Sequence, residues 1–188
     1  MKKNRLVLPV VKWVGGKRQL LEEFKPLFPK NISSYCEPFL GGGAVLFDLQ
    51  PKVAEVNDAN GELIRMYEVI RDNVDELIEE LEKHPNDEEH FYSVRDWDRN
   101  PVEYARLTKI QKAARNKTCY NGLFRVNNAG EFNTPFGHYK NPNIVNAPTL
   151  KAVSLYFNTA DISFTTGDYS RALENVKKGA FVYLDPPY

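Results

Sequence analysis

The sequence predicts an α/β fold, a doubly wound parallel sheet interrupted by an inserted segment. Three observations predict it. Residues 34–49 read as strand, glycine turn and helix, the opening unit of a nucleotide-binding α/β domain. A second strand, residues 53–57, ends on Asn57-Asp58 and leads into helical patterns at 62–71 and 74–83. That rhythm is lost from His84 to about Pro148 and returns afterwards as helix, strand, helix and strand. The implied organisation is 1–83 as the first part of the main domain, 84–148 as the insertion and 149–188 as the return.

Composition bounds the possibilities. The chain has 188 residues, enough for one full core, with 42% hydrophobic and 27% charged residues, as in a soluble globular protein. No apolar run is long enough to span a membrane, and the basic N-terminus leads into no secretory signal, so a cytoplasmic protein is expected. The two cysteines, Cys36 and Cys119, have no metal spacing, which predicts two reduced thiols and no metal site. Net charge is zero, but unevenly spread. Residues 1–30 carry eight Lys/Arg against two Asp/Glu, residues 101–150 seven against two, and residues 51–100 six against fifteen. Two basic stretches around an acidic middle suit a basic groove facing a polyanion, and equally suit charge compensation within one globule.

Taken in order, Lys12-Trp13-Val14-Gly15-Gly16-Lys17 forms a glycine turn without P-loop spacing. A single helix is predicted after it, with Leu20, Leu21, Phe24, Leu27 and Phe28 on one face and Pro29 as its end. Pro38 ends the first strand. The glycines Gly41-Gly42-Gly43 then permit close backbone approach to a ligand, or simply a tight turn. Asp58 stands where such folds place a ribose-binding acid, or else caps the following helix. Within the insertion one helix is predicted, at 104–115. A loop follows in which aromatics alternate with Asn, Arg and Lys, from Thr118 to Lys140. That mixture suits stacking on bases and contacts to base edges, and is also compatible with an aromatic hairpin. His84, His90 and His138 lack metal spacing and are expected at the surface. A helix at 151–158, a strand at 161–165, a helix at 169–175 and a closing strand complete the pattern. That last strand stops at Asp185-Pro186-Pro187-Tyr188, because two prolines cannot continue a ladder.

These motifs, in this order, resemble the Dam-type DNA adenine-N6 methyltransferases. The resemblance rests on Lys12 to Lys17, Glu37-Pro38-Phe39-Leu40-Gly41-Gly42-Gly43, Asn57-Asp58, the Asn121-Gly122-Leu123-Phe124-Arg125 to Gly137 stretch and Asp185-Pro186-Pro187-Tyr188. It implies a Rossmann-like methyltransferase sheet with an inserted, mainly helical and loop DNA-recognition subdomain. It implies S-adenosylmethionine as cofactor, double-stranded DNA as partner, and a flipped adenine, in GATC, as acceptor. The resemblance assigns the cofactor to Trp13, Lys17, Pro38, Phe39, Gly41, Asp58, Asp168, Tyr169 and Asp185. It assigns catalysis to Asp185, Pro186 and Tyr188, and DNA contact to Lys12, Tyr120, Leu123, Arg125 and Pro135. It also implies a cognate restriction endonuclease as a functional, not physical, partner. Family members continue past this last motif. The resemblance therefore implies that the C-terminal part of the sheet is missing, and it leaves open a truncated, inactive DNA- or cofactor-binding remnant.

Overall fold

The computed structural model describes residues 3–186 except 14, 119–122, 126, 128–132, 139, 141 and 175. The chain begins with β1 (Lys12–Trp13) and a 3-10 turn at Lys17–Leu20. The four-residue α1 (Leu21–Phe24) and a second 3-10 turn at Lys25–Leu27 follow. The predicted single helix over this stretch is therefore broken. Pro26 sits at the start of the second turn, where its missing N–H costs nothing. The supposed apolar face is not shared either: Leu21 is buried while Leu27 is 80% exposed.

The sheet begins at β2 (Tyr35–Glu37), followed by α2 (Ala44–Leu49) and β3 (Val53–Asp58). Next come α3 (Gly61–Asp72) and α4 (Val74–Glu82). Asn60, not Asp58, caps α3: its side chain accepts from the N–H groups of Glu62 and Leu63, worth about 1 kcal/mol for such a cap. The capping role considered for Asp58 falls to Asn60, and the Asp58 carboxylate bonds instead to the N–H groups of Asn60 and Gly41.

The segment 84–148 is more helical than predicted. It holds α5 (Glu88–Arg95), α6 (Pro101–Arg106) and α7 (Lys109–Thr118), then β4 (Leu123–Phe124). The helix expected at 104–115 is two helices, because Leu107 is extended and Thr108 starts anew. There the Thr108 hydroxyl accepts from the Gln111 N–H, while the Gln111 side chain accepts from the Thr108 N–H, a capping box. α7 packs on α3 and α4, and its Ala113 and Ala114 are buried in the main core. Phe91 with Tyr92 and Phe136 forms a small second cluster, joined to that core through Trp13. Of the three histidines expected at the surface, His138 is exposed, whereas His84 and His90 are both only partly exposed, with His84 Nδ1 2.8 Å from His90 Nε2.

The chain closes with α8 (Ala147–Thr159), β5 (Asp161–Thr166), α9 (Ser170–Glu174) and β6 (Phe181–Val182). The four-stranded sheet has the order β5-β3-β2-β6, all neighbours parallel. Chain order therefore reverses between β2 and β6, the place where open α/β sheets bind ligands. An aromatic cluster of Phe47, Tyr67, Phe157 and Phe164 holds α2, α3 and α8 against the sheet. β1 and β4 form a separate parallel pair, with Lys12 opposite Leu123 and Trp13 opposite Phe124. β4 thus finds its partner in the N-terminal segment, while Arg125 is bonded back to Asn133 on its own loop.

Candidate active site

A cavity of about 460 Å³ opens beyond the carboxyl ends of β2, β3 and β6. Its floor is the turn from Phe39 to Ala44, and its walls come from Trp13, Gly15, Gly16 and Lys17, from Asp58 and Ala59, and from Tyr183, Asp185 and Pro186. The turn exists because Gly41 and Gly43 adopt φ of +48° and +66°, a region that favours glycine. A Cβ on Gly41 would also lie 2.8 Å from the Trp13 ring. The indole is therefore seated directly on the turn.

Hydrogen bonds hold this floor rigid. The Asp58 carboxylate accepts from Gly41 N–H at 2.8 Å and from Asn60 N–H at 2.9 Å. Tyr67 Oη donates to the Gly41 carbonyl at 3.0 Å. Asn57, fully buried, donates to both the Pro38 and the Gly167 carbonyls at 3.1 Å, and its own carbonyl accepts from Thr165 Oγ1. Burial holds the Asp58 carboxyl above its ordinary range, and two backbone N–H bonds oppose that rise.

Two charged groups close the other side. Lys17 Nζ lies 2.7 Å from the Asp185 carboxylate and also donates to the Gly15 carbonyl at 2.9 Å. Glu37, at the end of β2, is 3% exposed and lines the cavity. Burial pushes its carboxyl up to about 8, against the opposing hydrogen bond from Tyr35 Oη at 2.8 Å. A neutral acid at pH 7 on the wall of a cavity is a group that a cation would convert to a carboxylate.

A family model described as D12 class N6 adenine-specific DNA methyltransferase matches residues 13–188. The chain belongs to that family. The type II methyltransferase M1.LlaDCHI of Lactococcus lactis subsp. cremoris is 40% identical over the whole chain and 68% of its own length. The type II methyltransferase M.MjaIII of Methanocaldococcus jannaschii is 41% identical over 97% of the chain and 69% of its own length. A DNA adenine methylase of Serratia marcescens is 32% identical over the whole chain and 68% of its own length. The chain spans about two thirds of the length of these relatives.

In this D12 methyltransferase, Trp13, Lys17, Phe39, Gly41, Asp58, Asp185 and Pro186 meet in one cavity, although the sequence disperses them over its whole length. Pro38 is buried behind the turn and Asp168 caps α9 through the Ser170 N–H; neither lines the cavity. Tyr169 stacks on Phe39 at 5.4 Å and reaches the site only through that ring. Lys12, Arg125 and Pro135 are exposed, with Lys12 and Leu123 adjacent across the β1–β4 pair. Tyr120, Tyr188 and the Leu123 side chain lie outside the described residues. Glu37, Asn57 and Tyr183 are site residues that sequence reasoning did not single out. Glu37 and Asn57 stand inside the motifs already quoted, but only burial and hydrogen bonding distinguish them. Among the described residues no group of three or more His, Cys, Asp or Glu is placed to hold a metal, and no helix is long and apolar enough to cross a membrane.

Proposed function

We propose that this adenine-specific DNA methyltransferase uses S-adenosylmethionine and acts on an adenine turned out of the duplex, in a GATC target. The observation that carries the reading is one cavity lined jointly by the glycine turn, Asp58 and Asp185-Pro186. The donor set fits such a cofactor. The Trp13 face and the Phe39 ring, itself backed by Tyr169, offer apolar contact. Asp58 offers an acceptor to ribose hydroxyls, Glu37 a buried carboxyl to an ammonium, and Lys17 a cation to a carboxylate. When bound, the cofactor supplies an electrophilic methyl group on a sulfonium.

The chain's own residues must make adenine N6 nucleophilic, since its lone pair is delocalised into the ring. The Asp185 carboxylate and the Pro186 carbonyl are two acceptors for the two N6 hydrogens. Bonded to both, the amino group turns its lone pair out of the ring plane. Prolines after Asp185 fix the carbonyl in advance, so the geometry is preorganised. Tyr188 would stack on the base and offset part of the few kcal/mol that unstacking costs.

We assign reading of the target to residues 84–148 together with β1. Lys12, Tyr120, Leu123, Arg125 and Pro135 are the proposed contacts, Lys12 to a guanine. The test is transfer of a radiolabelled methyl group to GATC duplexes by the chain and by its Asp185→Ala variant. Transfer by the parent, lost in the variant with DNA affinity retained, is the expected result. Retained transfer in the variant refutes the assignment.

A further inference from the structure

Lys117 is a buried cation that the chemistry above does not use. Its residue is 6% exposed, and its ammonium has no carboxylate ion pair among the described residues. Its bond is to the Val10 carbonyl, at 3.2 Å. Burial alone pushes the amine down to about 8. Lys117 lines a second cavity, of about 910 Å³, beside Lys12, Trp13 and Arg18, and takes no part in the cavity of the proposed chemistry. What it does instead follows from its two ends. One lies near the end of α7, which is anchored on α3 and α4 in the main core. The other holds the residue two places before β1, and Val10 and Val11 are themselves buried.

The pairing that this bond borders is only two residues long. A ladder so short specifies its own register weakly, and a slip of one residue exchanges the faces of every side chain. Here that exchange would be costly to function. Trp13 faces the cofactor cavity and touches the turn at Gly41 and Gly42, while Lys12, its neighbour, is exposed. Opposite them stand Leu123 and Phe124, and Arg125 follows directly.

The geometry points to Lys117 as a positioning residue that fixes the β1–β4 register, and so couples the cofactor cavity to the DNA-reading loop. This inference rests on the proposed function. Lys117 closes a ring of chain: α7 runs on to β4, β4 pairs with β1, and the segment before β1 returns to Lys117. That bond, added to the packing of Trp13 on Gly41 and against Phe91, ties the seat of the indole to the strand that leads into the DNA-reading loop.

The experiment uses the 188-residue chain and its Lys117→Met variant. S-adenosylhomocysteine is the cofactor probe. The DNA probes are the duplex that the parent methylates and the same duplex with one base pair changed. The Met variant is expected to keep a cooperative melt close to the parent's. Its affinity for S-adenosylhomocysteine and its preference for the target duplex should both fall, each by about tenfold, a typical size for coupling between sites. Loss of only one of these, or of neither, overturns the inference. A uniform loss of affinity for both duplexes also overturns it, since Lys117 would then be a phosphate contact. Should the Met variant not fold, amide exchange on the parent decides. S-adenosylhomocysteine must slow exchange at residues 123–125 as well as at 10–13, and protection confined to 10–13 refutes the coupling. A parent that binds neither probe refutes the proposed function first, before any variant is made.

Discussion

Lys17 and Asp185 form an ion pair at 2.7 Å across the mouth of the cavity, with about a quarter of each side chain exposed. The pair joins the N-terminal glycine turn to the segment after β6, and it gives the proposed N6 acceptor a cationic neighbour. Lys17→Met and Asp185→Ala should therefore be coupled in the free protein. For a partly exposed pair, a double-mutant cycle in denaturant is expected to give about 1 kcal/mol. Their functional effects should differ. Asp185→Ala removes methyl transfer, whereas Lys17→Met chiefly raises the concentration of S-adenosylmethionine needed. Steady-state kinetics separates the two, and a Lys17→Met variant with unchanged KM for the cofactor contradicts the assignment.

Gly41 carries two constraints at once, a φ of +48° and an indole where a Cβ would stand. Gly41→Ala should destabilise the fold by about 1–3 kcal/mol from backbone strain alone. It should weaken cofactor binding as well, by displacing Trp13. Chemical denaturation and isothermal titration with S-adenosylhomocysteine check the two effects. Unchanged binding in a destabilised variant would mean that the indole is not part of the site.

Glu37 predicts a pH dependence. Its folded carboxyl is raised from 4.5 to about 8 by burial. Between those values the folded chain keeps a proton that the unfolded chain has released. The contribution of Glu37 to stability therefore falls as pH rises from about 4.5 to 8, and levels off above. Glu37→Gln should match the parent near pH 4 and be the more stable protein near pH 8. Thermal melts across that range give the answer, and parallel curves for the two proteins contradict the shift. The same variant should bind S-adenosylmethionine less well, because it cannot meet an ammonium with a charge.

Arg125 is held on its loop by Asn133, with Nε 2.8 Å from the Asn133 side-chain oxygen and a terminal nitrogen 2.9 Å from the backbone carbonyl. With its Nε and Nη2 donors engaged in this way, the guanidinium plane is fixed and its Nη1 end is the part presented to a base edge. Arg125→Ala should relax discrimination at one position of the target by about 1–3 kcal/mol. Competition binding with single-base variants of the target measures it. An equal loss on every duplex would make Arg125 a phosphate contact.

Much of the main fold was legible locally. β2, β3, α3, α4 and β5 follow from periodicity and from Pro38 and Gly167, whose effects act within a few residues, whereas the cap of α3 is Asn60 and not the Asp58 considered for it. The separate helices of 84–118 were not foreseen, although Asp87, Asn100-Pro101 and Thr108 with Gln111 mark their starts. Each of these is a cap, but the apolar spacing between them is too short to announce a helix by itself. The region after Pro26 misled for the opposite reason, since an apolar pattern persisted where the backbone could not remain helical.

Sequence by itself determined the chemical groups and their order: the glycine turn, the acid after the second strand, the polar-aromatic loop and the carboxylate ahead of two prolines. Those are properties of single residues and short spacings. Tertiary structure alone decided which of them share a cavity. It brought Lys17 to Asp185, seated Trp13 on Gly41, buried Glu37 and so raised its carboxyl to about 8, and paired β4 with β1. The reason is physical. Desolvation, ion pairing and strand register depend on what lies nearby in space, and those neighbours come from distant parts of the chain.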